Sequence, residues 1–162
     1  MSEPLKLLSA LAQANFRGKA WQGAALAGAV RGVSAAEALR RPSKGRRNIH
    51  ELVLHAAYWK YAVRRRLNPA EDAPFPVSPA NWPATPASPD AEEWKRAVKL
   101  LKREHEKLVR AIEGLDAGSL DQIPPGARTW TRAQLIMGIA SHDAYHTGQI
   151  QLLKKLIRTR GS

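Results

Sequence analysis

The chain has no cysteine, which excludes disulfide frameworks, thiolate zinc knuckles and a catalytic thiol. Any metal it holds must sit on nitrogen and oxygen ligands. No window approaches the ~20 consecutive apolar residues of a membrane-spanning helix. Met1–Ala14 carries Glu3 and Lys6 among scattered leucines and lacks a basic region followed by an apolar run, so it does not read as a signal peptide, and a cytoplasmic location is expected. Aromatic residues make up only 6% and fall in apolar patterns, not between basic runs, so no stacking platform for nucleobases is indicated. Acidic residues are scarce too: 14 Asp and Glu against 26 Lys and Arg leave a net charge of +12. The cations cluster at Arg40–Arg47, Arg64–Arg66, Lys95–Arg110 and Lys154–Arg160. That balance suits an acidic partner, whether nucleic acid, an anionic membrane surface or a small anion. Spread over several elements, it also suits a plain solvated surface.

What is present points to one helical domain over residues 1–162, with 44% hydrophobic residues to bury. Leu5, Leu8, Ala12 and Phe16 share a face of a first helix. Gly18 and Gly23 then flank Trp21, and an alanine-rich helical stretch runs to about Val30. Ser34 with Glu37 makes a capping box for a short helical turn that ends before Pro42. Asn48 with Glu51 follows the same logic and opens a second long helix to about Leu67. Seven of the eleven prolines lie between Asn68 and Asp90, which predicts an irregular crossover. Asp90 caps a third helix to about Glu113, Ser119–Gln122 reads as a further short turn, and Thr131 with Gln134 caps a last helix reaching Arg158. No alternating strand pattern or internal repeat is visible. The fold class read from this is all-α, a four-helix bundle with a long proline-rich crossover between helices two and three.

At 100° per residue, the last helix places Leu135, Ile139, Ile150, Leu153 and Ile157 on one stripe, with His142 and His146 in its middle, one turn apart. On the second helix His55 lies at the shoulder of the apolar face, whereas His50 is expected on the opposite side. On the third, His105 faces inward and reads as a core residue whose ring nitrogens are satisfied by hydrogen bonds. Two inward imidazoles at this spacing form a candidate pair of metal ligands. No His, Asp or Glu follows His146, so a third ligand must come from another helix, and His55 faces the pair better than His105. Three neutral imidazoles leave coordination positions open, the arrangement of a catalytic site and not a closed structural one. Asp143 is expected either to orient a ligand histidine, to act as a base, or to pair with a nearby Lys or Arg. Gln149 is expected at the substrate or in a core hydrogen bond.

The run Ser141–Ile150, with His142 and His146, resembles the C-terminal helix signature of the DinB-like family of metal-binding four-helix bundles. Asn48–Trp59 resembles that family's second-helix signature, whose metal histidine matches His55. The Trp21 segment, the crossover with Trp82-Pro83, and Trp94 are similar as well, so the likeness covers nearly the whole chain. The resemblance implies a facial three-histidine site (His55, His142, His146) for nickel, zinc or iron at one end of the bundle. Family members include thiol S-transferases using bacillithiol-like cofactors and a mycothiol-dependent isomerase, and the family name refers to induction by DNA damage. Relatives often carry a His after the helix-one Trp, where this chain has Gln22. The resemblance therefore implies a metal-dependent S-transferase or hydrolase acting on a small electrophile, with a low-molecular-weight anionic thiol as co-substrate and a homodimeric state. The other reading is a stress-linked nucleic-acid-binding or interaction protein with a structural metal and no turnover.

Overall fold

The computed structural model describes residues 1–69 and 73–159; part of the expected crossover, Arg160 of the basic tail, and Gly161-Ser162 lie outside these. Helices form where the caps predict them. Helix α1 spans Glu3–Arg17 with Pro4 in its first turn, where a missing amide proton costs nothing. Short α2 (Leu26–Val30) and α3 (Ala35–Leu39) follow, and Ser34 and Glu37 satisfy each other's amides at the start of α3. Helix α4 (Ile49–Leu67) opens with the same reciprocal pair, Asn48 and Glu51. Helix α5 (Ala91–Glu113) begins with the Asp90 carboxylate accepting from the amides of Glu92 and Glu93. A 3-10 turn at Ala117–Ser119 leads to α6 (Arg132–Thr159), where Thr131 and Gln134 exchange backbone-to-side-chain bonds.

The described residues are all-helical apart from one isolated bridge between Ala20 and Gly23. The long helices α1, α4, α5 and α6 pack against one another, and the proline-rich crossover joins α4 to α5. No described helix is long and apolar enough to cross a membrane.

The apolar interior is in two parts. One gathers Phe16, Leu26, Ile49, Leu52, Leu101, Ile150 and Leu153 among others; the second gathers Leu5, Ala12, Val63, Leu108, Ile112, Ile136 and Ile139. The early part of α4 thus meets the late part of α6, and its end meets the start of α6, so the two run antiparallel. Between the two parts lies a buried polar layer of Lys60, Arg64, Glu104, His105 and Asp143. Lys60 and Asp143 form an ion pair across it, and Arg64 meets Glu104 at 3.6 Å. Helix α5 adds its broad apolar face to both parts, and Trp94 Nε1–H donates to the carbonyl oxygen of Val33 at 2.8 Å.

One expectation fails here. His50 is buried, 2% exposed, with its ring edge-on to Trp94. Helix α4 is covered by α3 and α5 on the side where solvent was expected, so fourteen of its nineteen residues are buried and a two-faced reading does not apply to it.

Candidate metal centre

Helix α4 carries His55 to the same depth as His142 and His146 on α6, and the three rings meet. His142 Nε2 lies 3.3 Å from His55 Nε2 and 3.0 Å from His146 Nε2. One ligating nitrogen from each ring falls within 4.8 Å of the others, which makes this a three-histidine group able to hold a metal ion. The far nitrogens of two rings face protein oxygens. His55 Nδ1–H donates to the Asn81 carbonyl oxygen at 2.9 Å, and His146 Nδ1–H donates to Gln149 Oε1 at 2.6 Å. Bonds of this type fix the tautomer and aim the other nitrogen inward.

That geometry creates an electrostatic problem for protein atoms alone. With Nδ1 protonated, neutral His55 and His146 each present a bare lone pair at Nε2. His142 Nε2 faces both with at most one proton, so it can satisfy only one of them. Adding protons is opposed by the surroundings. Burial pushes the His142 imidazole down to about 3, with the neighbouring His146 and His55 adding to the effect. Burial likewise takes His146 down to about 4, against the pull of Gln149, and lowers His55. Three neutral rings whose Nε2 atoms converge on one point suit a divalent cation.

The centre opens on a cleft of about 660 Å³, within the usual range of small-molecule sites. Trp82, from the crossover, stacks flat on His55 with centroids 3.7 Å apart, and the Arg47 guanidinium lies 4.2 Å above the same indole. Arg47 also reaches Glu51 at 3.2 Å, whereas the Arg46 guanidinium, at the cleft wall, forms no ion pair among the described residues. Leu152, Leu153 and Leu156 from α6 line the facing wall.

Asp143, one residue past His142, lines neither this cleft nor the one beside Trp59. It is buried against Lys60, and its Oδ1 has no hydrogen-bond partner among the described residues. Burial raises the Asp143 carboxyl and lowers the Lys60 ammonium, each opposed by the other's charge. The arrangement is that of the ion pair anticipated as one of its three roles. Gln149 holds His146 while still lining the cleft. His105 is inward as expected but not hydrogen-bonded. Both ring nitrogens are buried without partners among the described residues, and the ring stacks on Phe16 at 3.8 Å. Trp21 is fully exposed, and Gln22 donates to Asn15 Oδ1 at 2.6 Å; neither lines the cleft at the centre.

Sequence reasoning missed Lys60, Asn81 and the Arg46–Arg47 wall. A signal for Lys60 existed: it lies four residues after Ala56 and three before Val63, the spacing at which residues share one face of a helix. Nothing local points to Asn81, whose contribution is a backbone oxygen in an irregular segment.

A family model described as the DinB superfamily matches residues 20–150. No curated protein and no solved structure matches the chain.

Proposed function

The chain belongs to the DinB superfamily, and from that footing we propose that it is a metal-dependent transferase joining a small anionic thiol to an electrophile. The observation that carries the proposal is the convergence of three neutral imidazoles at the end of a cleft with a cationic wall. A divalent ion held there supplies Lewis acidity that favours ionisation of a thiol or of water near neutral pH.

The chain's own residues do the rest. Asn81 and Gln149 keep the protons of His55 and His146 on Nδ1, leaving Nε2 available. Trp82 holds the His55 ring flat and shields one side of the centre from water. Arg46 offers an uncommitted guanidinium to an anionic group, and Arg47 adds charge from above Trp82. In the transfer, a sulfur–carbon bond forms while the electrophile's leaving group departs with its bonding pair, and the thiol proton passes to water. Asp143 takes part as the partner of Lys60 and not as a base, because it faces the interior.

The test incubates metal-loaded protein with thiols of increasing negative charge and an alkyl halide or epoxide, reading products by mass spectrometry. Thioether formed by the wild type and lost in His142→Ala supports the proposal, with the more anionic thiols favoured and that preference weakened in Arg46→Glu. Loss of the electrophile at the same rate without any thiol contradicts transfer and makes the protein a hydrolase.

A further inference from the structure

A second cleft meets the same three-histidine group from the other side. It has a volume of about 400 Å³ and is walled by Trp59 and Val63 of α4, Trp130 from the segment before α6, and Leu135, Met137, Gly138 and Ile139 of α6. His142 is the one residue that lines both clefts. Along α6 the two clefts are consecutive: positions 134–142 floor the second and 142–156 the first. Trp59 sets its indole 6.1 Å from the His142 ring on the second side, as Trp82 covers His55 on the first.

The two clefts differ in chemistry. The first has Arg46 and Arg47 at its wall. The second has no Lys, Arg, Asp or Glu in its lining, in a chain with 26 cations; Gln134 and the His142 ring supply its polarity. An anion there would lose its hydration with no cation to replace it. Two indoles, branched aliphatic walls and an adaptable Met suit a neutral ring.

Gly138 leaves room on the floor of this cleft. A glycine inside a long helix costs about 0.5–1 kcal/mol relative to alanine. A Cβ built at Gly138 meets nothing within 4 Å, so close packing does not require the glycine. What its missing side chain leaves is the floor of this cleft. Trp130 and Met137 are also 58% and 43% exposed, two large apolar side chains presented at one place.

We infer that the Trp59–Trp130 cleft binds a neutral, ring-sized apolar molecule and presents it to the His142 edge of the centre. Resting on the transferase reading, this makes that molecule the electrophile, approaching from the side opposite the anionic thiol.

The experiment uses 1-fluoronaphthalene as probe and follows its fluorine NMR signal with the full-length protein, first metal-free and then loaded with paramagnetic cobalt(II). The wild type should broaden the signal saturably, and cobalt should add relaxation that zinc does not. Gly138→Leu, which fills the cleft, and Trp130→Ala, which removes an exposed wall, should each weaken binding at least tenfold. Arg46→Glu should leave it unchanged. Circular dichroism and cobalt uptake confirm that each variant is folded and loaded. The inference is overturned if neither cleft variant weakens binding, if Arg46→Glu does so instead, or if bound probe feels no cobalt in a loaded protein. It is also overturned if the wild type is a dimer that Trp130→Ala dissociates, since a second copy then covers the cleft. Failure to take up cobalt counts against the metal reading alone, because broadening without metal still reports the cleft.

Discussion

At the residue scale, His55 and His146 differ from His105 by what lies on their second nitrogen, whereas His142 Nδ1 is buried without a hydrogen-bond partner among the described residues. His55 and His146 each commit Nδ1–H to an oxygen, which turns Nε2 into a lone pair aimed at the centre. His105 has no such partner among the described residues and is fully buried, so it stays neutral as a flat ring stacked on Phe16. Burial, with the charges of Lys60 and Arg17 adding, holds its pKa down to about 2. An unfolded chain takes up that proton near its ordinary value of about 6.5. Between those values the unfolded state binds more protons, so stability rises with pH. The contribution of neutral His105 is therefore complete above about pH 6.5 and is lost as pH falls toward about 2. Replacing it with leucine removes two unsatisfied polar atoms, and such exchanges are nearly neutral or stabilising. We expect His105→Leu to unfold within about 1 kcal/mol of wild type at pH 7.5. Urea melts of metal-free protein from pH 7.5 to 4 should show a shallower acid loss in the variant, with metal uptake unchanged. A variant that loses stability at pH 7.5 and keeps the wild-type slope would mean that His105 does have a buried partner.

At the scale of elements, the centre depends on the register of α4 against α6, and the polar layer sets it. Lys60 comes five residues after His55 and meets Asp143, which lies between His142 and His146. This buried ion pair thus helps fix which turn of α4 faces which turn of α6. Removing one member of a buried pair strands the other charge and costs about 3–5 kcal/mol, whereas replacing both with apolar residues is far less harmful. Lys60→Met and Asp143→Leu should each lower stability by that amount, and the double variant should recover most of it in denaturant titrations. Metal affinity in the double variant should still fall below wild type, because apolar side chains do not specify the register. Wild-type affinity there would show that packing alone aligns the histidines.

The elements themselves were largely legible, since capping pairs such as Asn48 with Glu51 and Ser34 with Glu37 act locally and work as read. His142, His146 and His55 were legible because helical spacing places them on faces that must meet. His50 was not, because its burial depends on α3 and α5 covering a face that the period of α4 alone leaves polar. Trp82 and Asn81 were placed only by resemblance or not at all, since an irregular crossover has no period to orient its side chains.

At the scale of the whole molecule, the charge of +12 is only partly an outward feature. Lys60 is internal, Arg41 and Arg47 converge on Glu51, Arg158 pairs with Glu37, and Lys154 holds the carbonyl oxygens of Ala29 and Arg31. Arg46, the cation that remains at the first cleft, sits where an anionic co-substrate would approach the centre in the proposed transfer, and the lining of the second cleft holds no cation. All of this turns on the three imidazoles being ligands. The most direct measurement is elemental analysis of protein purified without a polyhistidine tag, beside His142→Ala. Near-stoichiometric nickel, zinc or iron that the variant lacks is the predicted result. Wild-type protein that stays metal-free after incubation with all three ions would contradict it, leaving the three rings as a feature of the core.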